Sequence, residues 1–156
     1  MLWHSDTRRS EMGTDIHLAA EVRRDGVWKY IKTFPEFGDP VFSHDDDPEE
    51  RFYALFGVLA GVRTMLDGGA LFPMRGLPDD IDKGSYCGDD CDCDGSMPDL
   101  GDHSQTWASY NELSAIDWDS YEIFKSGFRR WVEGRLKNLA GMVGSENVRV
   151  LMGFDS

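Results

Sequence analysis

Between residues 12 and 22 the chain runs Met-Gly-Thr-Asp-Ile-His-Leu-Ala-Ala-Glu-Val, a stretch that reads as a first strand. Strand side chains project to opposite faces in turn. Ile16, Leu18, Ala20 and Val22 therefore fall on one side, and Asp15 and His17 on the other. An apolar row of this kind has to be covered, so the segment predicts a sheet with one face against a core. A carboxylate and an imidazole stand together on the opposite face, and that pair marks where a site would lie.

The rest of the chain supplies partners for that strand. Asp25-Gly26 follows at once; both residues tolerate positive φ, which predicts a hairpin into a second strand over 27–33. Phe34-Pro35 and Gly38-Asp39-Pro40 break it. Asp47 as N-cap, Pro48 at the first helical position and Glu50 in a capping-box-like place then announce a helix. Its body, 52–62, is apolar nearly all round and predicts burial on more than one side, with Asp67-Gly68-Gly69 as the stop. Residues 67–106 carry little regular pattern, and a loop this long is usually functional or disordered.

Ser109-Tyr110-Asn111-Glu112 spells a capping box that opens a short helix. Asp119 to Glu122 offers a similar start for the last long helix. There Tyr121, Phe124, Phe128, Trp131, Val132, Leu136 and Leu139 recur at helical spacing. Gly127, Gly134 and Gly141 recur every seven residues at the margin of that face. Each is worth roughly 1 kcal/mol less than Ala inside a helix. They are either tolerated defects or places where another element or a ligand approaches the backbone. Residues 148–155 read as a last strand, with Val148, Val150, Met152 and Phe154 facing inward.

These elements predict an α+β fold: a small antiparallel sheet from the N-terminal hairpin and the C-terminal strand, with helices packed on one face and a long irregular acidic loop. Residues 1–11 are polar and unpatterned and read as a disordered N-terminal extension, leaving 12–156 as a single domain.

Charge narrows the function classes. With 29 Asp and Glu against 16 Lys and Arg, the chain is ill suited to nucleic acid, whose binding requires neutralised phosphates. A basic protein surface or a cation suits it better. Three cysteines cannot all pair within the chain, which argues against a secreted disulfide framework. No apolar run reaches the length of a membrane span, and the N-terminus has no signal-peptide core. The cytoplasm is the expected location, with no membrane partner.

If the last strand pairs antiparallel with the first, Asp155 comes to lie beside Asp15 and on the face of His17. Two carboxylates and an imidazole would then bind a divalent metal, or a carboxylate would orient His17 as a general base. His103 is the second imidazole of interest, in a loop expected to converge on that sheet end, with Ser104 and Trp107 close by as ligand contacts. Asp15, His17, His103 and Asp155 are therefore the candidate catalytic set. Arg75, before Gly76-Leu77-Pro78, either holds an anionic ligand or answers a nearby carboxylate. A paired-His phosphoesterase would carry a hydroxyl two residues after each His; Ala19 and Gln105 occupy those places. The chain has no Gly-x-Ser-x-Gly elbow and no phosphate-cradling Gly loop with Lys.

The acidic tract admits two metals. Asp90, Asp92, Asp94 and Gly95 match the first half of a Ca²⁺ loop, although Pro98 and Gly101 stand at its ninth and twelfth positions. Cys87, Cys91 and Cys93 with His103 would instead give zinc three thiolates and an imidazole, at an unusual spacing. A loop that binds neither is the third possibility.

Several short motifs, taken in order, resemble a family of small uncharacterised phage and prophage proteins that open Met-Gly-x-Asp-Ile-His. They are Met12 to His17, the helix from Arg51-Phe52-Tyr53-Ala54-Leu55-Phe56 to Val62-Arg63, Arg75-Gly76-Leu77-Pro78-Asp79-Asp80, His103-Ser104 with Trp107, and Gly153-Phe154-Asp155. The likeness spans nearly all of 12–156. It implies a phage protein acting in the host cytoplasm and implies no mechanism. The Cys and Asp tract looks like a local elaboration.

Three function classes follow. One is a small hydrolase of a phosphate-containing or other polar small molecule. The second is a non-catalytic protein that sequesters such a ligand with the same residues. The third is an acidic protein that blocks a basic surface on a host protein.

Overall fold

A computed structural model describes residues 14–35, 38–42, 53–62, 74–82, 100–101, 103–121 and 126–155. Its centre is a four-stranded antiparallel sheet in the order β2-β1-β4-β3. The strands are β1 (Asp15–Arg24), β2 (Val27–Ile31), β3 (His103–Ser109) and β4 (Val148–Asp155). Asp25 and Gly26 turn the hairpin at φ 53° and 78°, the left-handed pair that matches strand twist. The terminal strand lies beside the first, with Asp15 opposite Asp155, His17 opposite Gly153 and Val22 opposite Val148.

Alternation along β1 and β4 builds the main core. Ile16, Leu18, Ala20 and Val22 meet Val148, Val150, Met152 and Phe154 on one face, all buried. Helices cover that face. They are α1 (Tyr53–Ala60), α2 (Tyr110–Ser114), α3 (Gly127–Trp131) and α4 (Lys137–Val143). A π turn, Val132–Leu136, joins the last two without a break in helical dihedrals. Phe128, Trp131, Val132, Leu136 and Leu139 are buried against the sheet, as their spacing predicts. Ser109 caps α2 as a full capping box. Its hydroxyl accepts from the Glu112 amide at 3.1 Å, and the Glu112 carboxylate accepts from the Ser109 amide at 3.0 Å.

Three boundaries differ from the sequence reading. The first helix stops at Ala60 rather than at Asp67-Gly68-Gly69, because Gly61 takes φ 71° and the Gly61 and Val62 amides close onto the Gly57 and Phe56 carbonyls. The last helical run begins at Ser126, whose hydroxyl accepts from the amides of Phe128 and Arg129, and not at Asp119, which lies in a 3-10 turn. Residues 103–106, read as loop, belong to β3. The bulge around Ser104 and the polar composition hide its period of two. Residues 1–11, the Asp47-Pro48-Glu50 helix start and the acidic tract lie outside the described residues. Among the described residues no helix is long and apolar enough to cross a membrane.

Candidate functional site

The second face of the sheet carries the polar residues, and it is not all open. Ala19, Leu100 and Leu151 form a small buried cluster there, with Tyr30, Leu77, Ile81 and Trp107 around it. The segment 74–82 lies across this face. At one end the cover gives way to Asp15, His17 and Asp155.

Register brings these three together. Asp15 and Asp155 are direct partners across β1 and β4, and His17 is one step along. The Asp155 carboxylate reaches His17, with Oδ2 2.7 Å from Nε2, between residues 138 apart in sequence. The two side chains are 24% and 37% exposed, so solvent or a ligand reaches both. Gly153, opposite His17, is required. A Cβ there would collide with the Leu100 carbonyl, which lies across the strand. The Gln105 amide donates to the Gly101 carbonyl at 3.1 Å and holds this rim in place.

The chemistry of the pair follows from its geometry. With the proton on Nε2, the imidazole donates to Asp155, which fixes the tautomer that carries its lone pair on Nδ1. Among the described residues Nδ1 of His17 has no protein partner. A carboxylate-oriented imidazole with an open nitrogen can take a proton from water or a hydroxyl.

His103 does not join them as expected. Its direct partner across the sheet is Phe154, whose side chain faces the helices, and the two rings stack at 6.3 Å. The register shift between His103 and Thr106 is the reason. One extra residue reverses the alternation, and Ser104 takes φ 55° to accommodate it. His103 Nδ1 instead lies 2.9 Å from the Ser104 hydroxyl. Among the described residues no group of three His, Cys, Asp or Glu side chains is placed to hold a metal ion. Cys87, Cys91, Cys93, Asp90, Asp92 and Asp94 lie outside the described residues.

Arg75 answers a carboxylate. Its guanidinium forms a two-pronged pair with Glu112 at 2.7 and 2.5 Å, also donates to the Trp107 carbonyl, and lies 4.6 Å from the centre of the Trp107 ring. The hydrogen bond from Arg75 pulls the Glu112 carboxyl down to about 2, against the opposing effect of burial. The same bond raises the Arg75 pKa. Arg75 and Trp107 thus fasten segment 74–82 to the sheet and to α2.

A second acid–base cluster on this face was not anticipated. Glu21 and Arg149 are direct partners across β1 and β4, both buried, with Oε1 and Nη2 2.6 Å apart. Arg149 also pairs with Asp80 at 2.9 Å and lies over the Trp28 ring at 4.1 Å. The Asp82 amide donates to Glu21, and the Tyr30 amide donates to Asp82. The motif around Arg75 to Asp80 is therefore a strap whose polar groups close a buried ion pair.

No protein-family model, curated protein or solved structure matches this chain. The likeness to phage proteins stays an expectation, and the chemistry of the site rests on its own geometry.

Proposed function

We propose that the protein is a small hydrolase of a phosphate-containing or other polar small molecule, with His17 as general base and Asp155 as the residue that orients it. The observation that carries this reading is the 2.7 Å contact between His17 Nε2 and Asp155 at a partly open sheet end. Nδ1 takes a proton from water, the water oxygen attacks the substrate, and the leaving group departs with its bonding electrons. Asp15, held in register beside Asp155, lies on the rim of the same site. In the phage setting that the sequence likeness implies, such an enzyme would work in the host cytoplasm.

A panel of nucleotides and chromogenic phosphate and carboxylate esters tests this with purified protein. Wild type should release product. His17→Ala should abolish turnover and Asp155→Asn should lower it by about 10²-fold or more. Both variants should keep stability within roughly 1 kcal/mol, since neither residue is in the core. Saturable binding without turnover, lost in His17→Ala, would move the reading to a protein that sequesters its ligand. The net charge of −13 favours one further reading, an acidic protein that covers a basic surface on a host protein. Binding to such a partner that is indifferent to His17→Ala would support it.

A further inference from the structure

Two non-glycine residues take positive φ among the described residues, Asp25 and Ser104. Asp25 turns the β1–β2 hairpin, which requires that conformation. Ser104, at φ 55°, stands inside β3, in the bulge that the register between His103 and Thr106 passes over. Glycine would make the same bulge without strain. The serine gains little for the fold in return. Its hydroxyl has one hydrogen bond among the described residues, 2.9 Å from Nδ1 of the neighbouring His103. Strain kept in this way gathers at reactive sites.

The surroundings hold the two side chains in place. Leu100-Gly101 lies hard against the end of β4, where a Cβ on Gly101 would collide with the Phe154 backbone. The Gln105 amide ties the far side of the bulge back to the Gly101 carbonyl at 3.1 Å. The His103 ring stacks on Phe154 at 6.3 Å, and Phe56 of α1 meets Phe154 edge-on at 5.2 Å. The imidazole plane is thereby set, with Nδ1 toward the hydroxyl. Both His103 and Ser104 are half-buried, so a small molecule reaches them from solvent.

We propose that Ser104 is a nucleophile toward neutral carboxylic esters, with His103 as its general base. A nucleophile and a base within hydrogen-bond reach, the base oriented by a third group, is the arrangement this chemistry needs. With the proton on Nε2, Nδ1 accepts from the hydroxyl. As Oγ bonds to the ester carbonyl carbon, its proton passes to Nδ1. The ester C–O bond breaks, and the departing alkoxide takes the electron pair and then that proton. Water reverses the sequence: it gives a proton to Nδ1, its oxygen bonds to the acyl carbon, and Oγ leaves and recovers the proton. A serine raised on a strained turn serves the same end in a nucleophile elbow, reached here without the Gly-x-Ser-x-Gly sequence.

Charge selects the ester class. Residues 14–18, 103–107 and 151–155, the strand ends that meet here, carry Asp15 and Asp155 and no Lys or Arg. A phosphate ester would meet two carboxylates and no cation from these strands, whereas a neutral ester is not repelled. His103 lies with Phe154 on the helix side of the sheet and His17 on the other, so the proposal does not depend on the reading of the His17–Asp155 pair.

Treatment of the full chain with an alkyl fluorophosphonate, with the adduct located by peptide mass spectrometry, tests the proposal. p-Nitrophenyl acetate and p-nitrophenyl phosphate serve as paired substrates. The probe should add once, at Ser104. The acetate should give a burst of nitrophenol equal to one site, and the phosphate no burst. Ser104→Ala should lose both adduct and burst, and His103→Gln should slow labelling by about 10²-fold or more. Ser104→Gly should lose the adduct yet melt about 2–4 °C higher, since glycine is unstrained at this φ. No adduct on the folded wild type, an adduct at another residue, or a labelling rate unchanged in His103→Gln would overturn the proposal. So would a Ser104→Gly variant that melts below wild type, which would make the hydroxyl a structural bond. A phosphate burst as large as the acetate burst would overturn the ester class.

Discussion

The pair Glu21–Arg149 allows a sharp test of how this sheet is held. Arg149 is 4% exposed and Glu21 fully buried, 2.6 Å from Nη2 to Oε1. In Arg149→Met the apolar stem remains but the charge goes. Glu21 keeps the amide donor from Asp82 at 2.8 Å and loses the Arg149 guanidinium. Breaking a buried pair from one side costs about 3–5 kcal/mol, since the remaining charge stays out of water. Loss of the cation over Trp28 adds about 0.5–2 kcal/mol. At about 2–4 °C per kcal/mol for a domain of this size, Tm should fall by about 10 °C or more. Asp80 makes the other ion pair to Arg149 but is 66% exposed, so Asp80→Asn should cost less than about 1 kcal/mol. The double variant Glu21→Gln, Arg149→Met removes both charges and keeps an acceptor for the Asp82 amide. It should recover at least about half of the loss. Urea unfolding of wild type, Glu21→Gln, Arg149→Met and the double variant measures the cycle. A loss under about 1 kcal/mol in Arg149→Met, or a double variant no more stable than Arg149→Met, would refute the account.

The Glu112 carboxyl, held down to about 2 by Arg75 against an ordinary 4.5, contributes stability that is complete above pH 4.5 and lost as pH falls toward 2. Allowing for its partial exposure, acid titration of stability should show about 1–2 kcal/mol lost over that window in wild type and not in Arg75→Met. Gly153→Ala should cost about 1–3 kcal/mol and lower Tm, because the new methyl meets the Leu100 carbonyl and must lift it from β4. Trp131→Phe should cost about 1–3 kcal/mol in urea unfolding, as the Val41 carbonyl loses its indole donor in a buried place.

The parts of the fold that were legible are those where one local rule acts alone. Strand alternation placed Ile16 to Val22 and Val148 to Phe154 on the core face, and the positive-φ pair Asp25-Gly26 turned the hairpin. The Ser109 capping box appears as written. Elements went astray where two rules compete. In β3 the bulge at Ser104 interrupts the alternation, so His103 lands with Phe154 rather than with Asp155. In the first helix Gly61 ends the run before the stronger-looking Asp67-Gly68-Gly69, because a single left-handed glycine suffices. The Glu21–Arg149 pair was within reach. The register that sets Asp15 beside Asp155 also sets Glu21 opposite Arg149, and an acid facing a base on one strand pair is a contact in waiting.

Those two acid–base pairs are the best argument for where function lies on this face. Both join β1 to β4, and both were set by the same register. Around Glu21 and Arg149 the strap supplies Asp80 and the Asp82 amide, and β2 and β3 supply the Trp28 and Trp107 indoles, until the pair is buried with its polar atoms engaged. That is what a polar pair looks like when the fold uses it. His17 and Asp155 have one contact with each other and keep 24% and 37% of their side-chain surface exposed. The fold keeps this end clear at some expense. Gly153 removes the side chain that would stand opposite His17, and the Leu100 carbonyl occupies that gap without touching either ring nitrogen among the described contacts. A pair needed only for stability would have gained from the cover its neighbour receives. Its exposure and single bond are what a proton-transfer group requires, and they are why His17→Ala should be silent in unfolding and decisive in turnover.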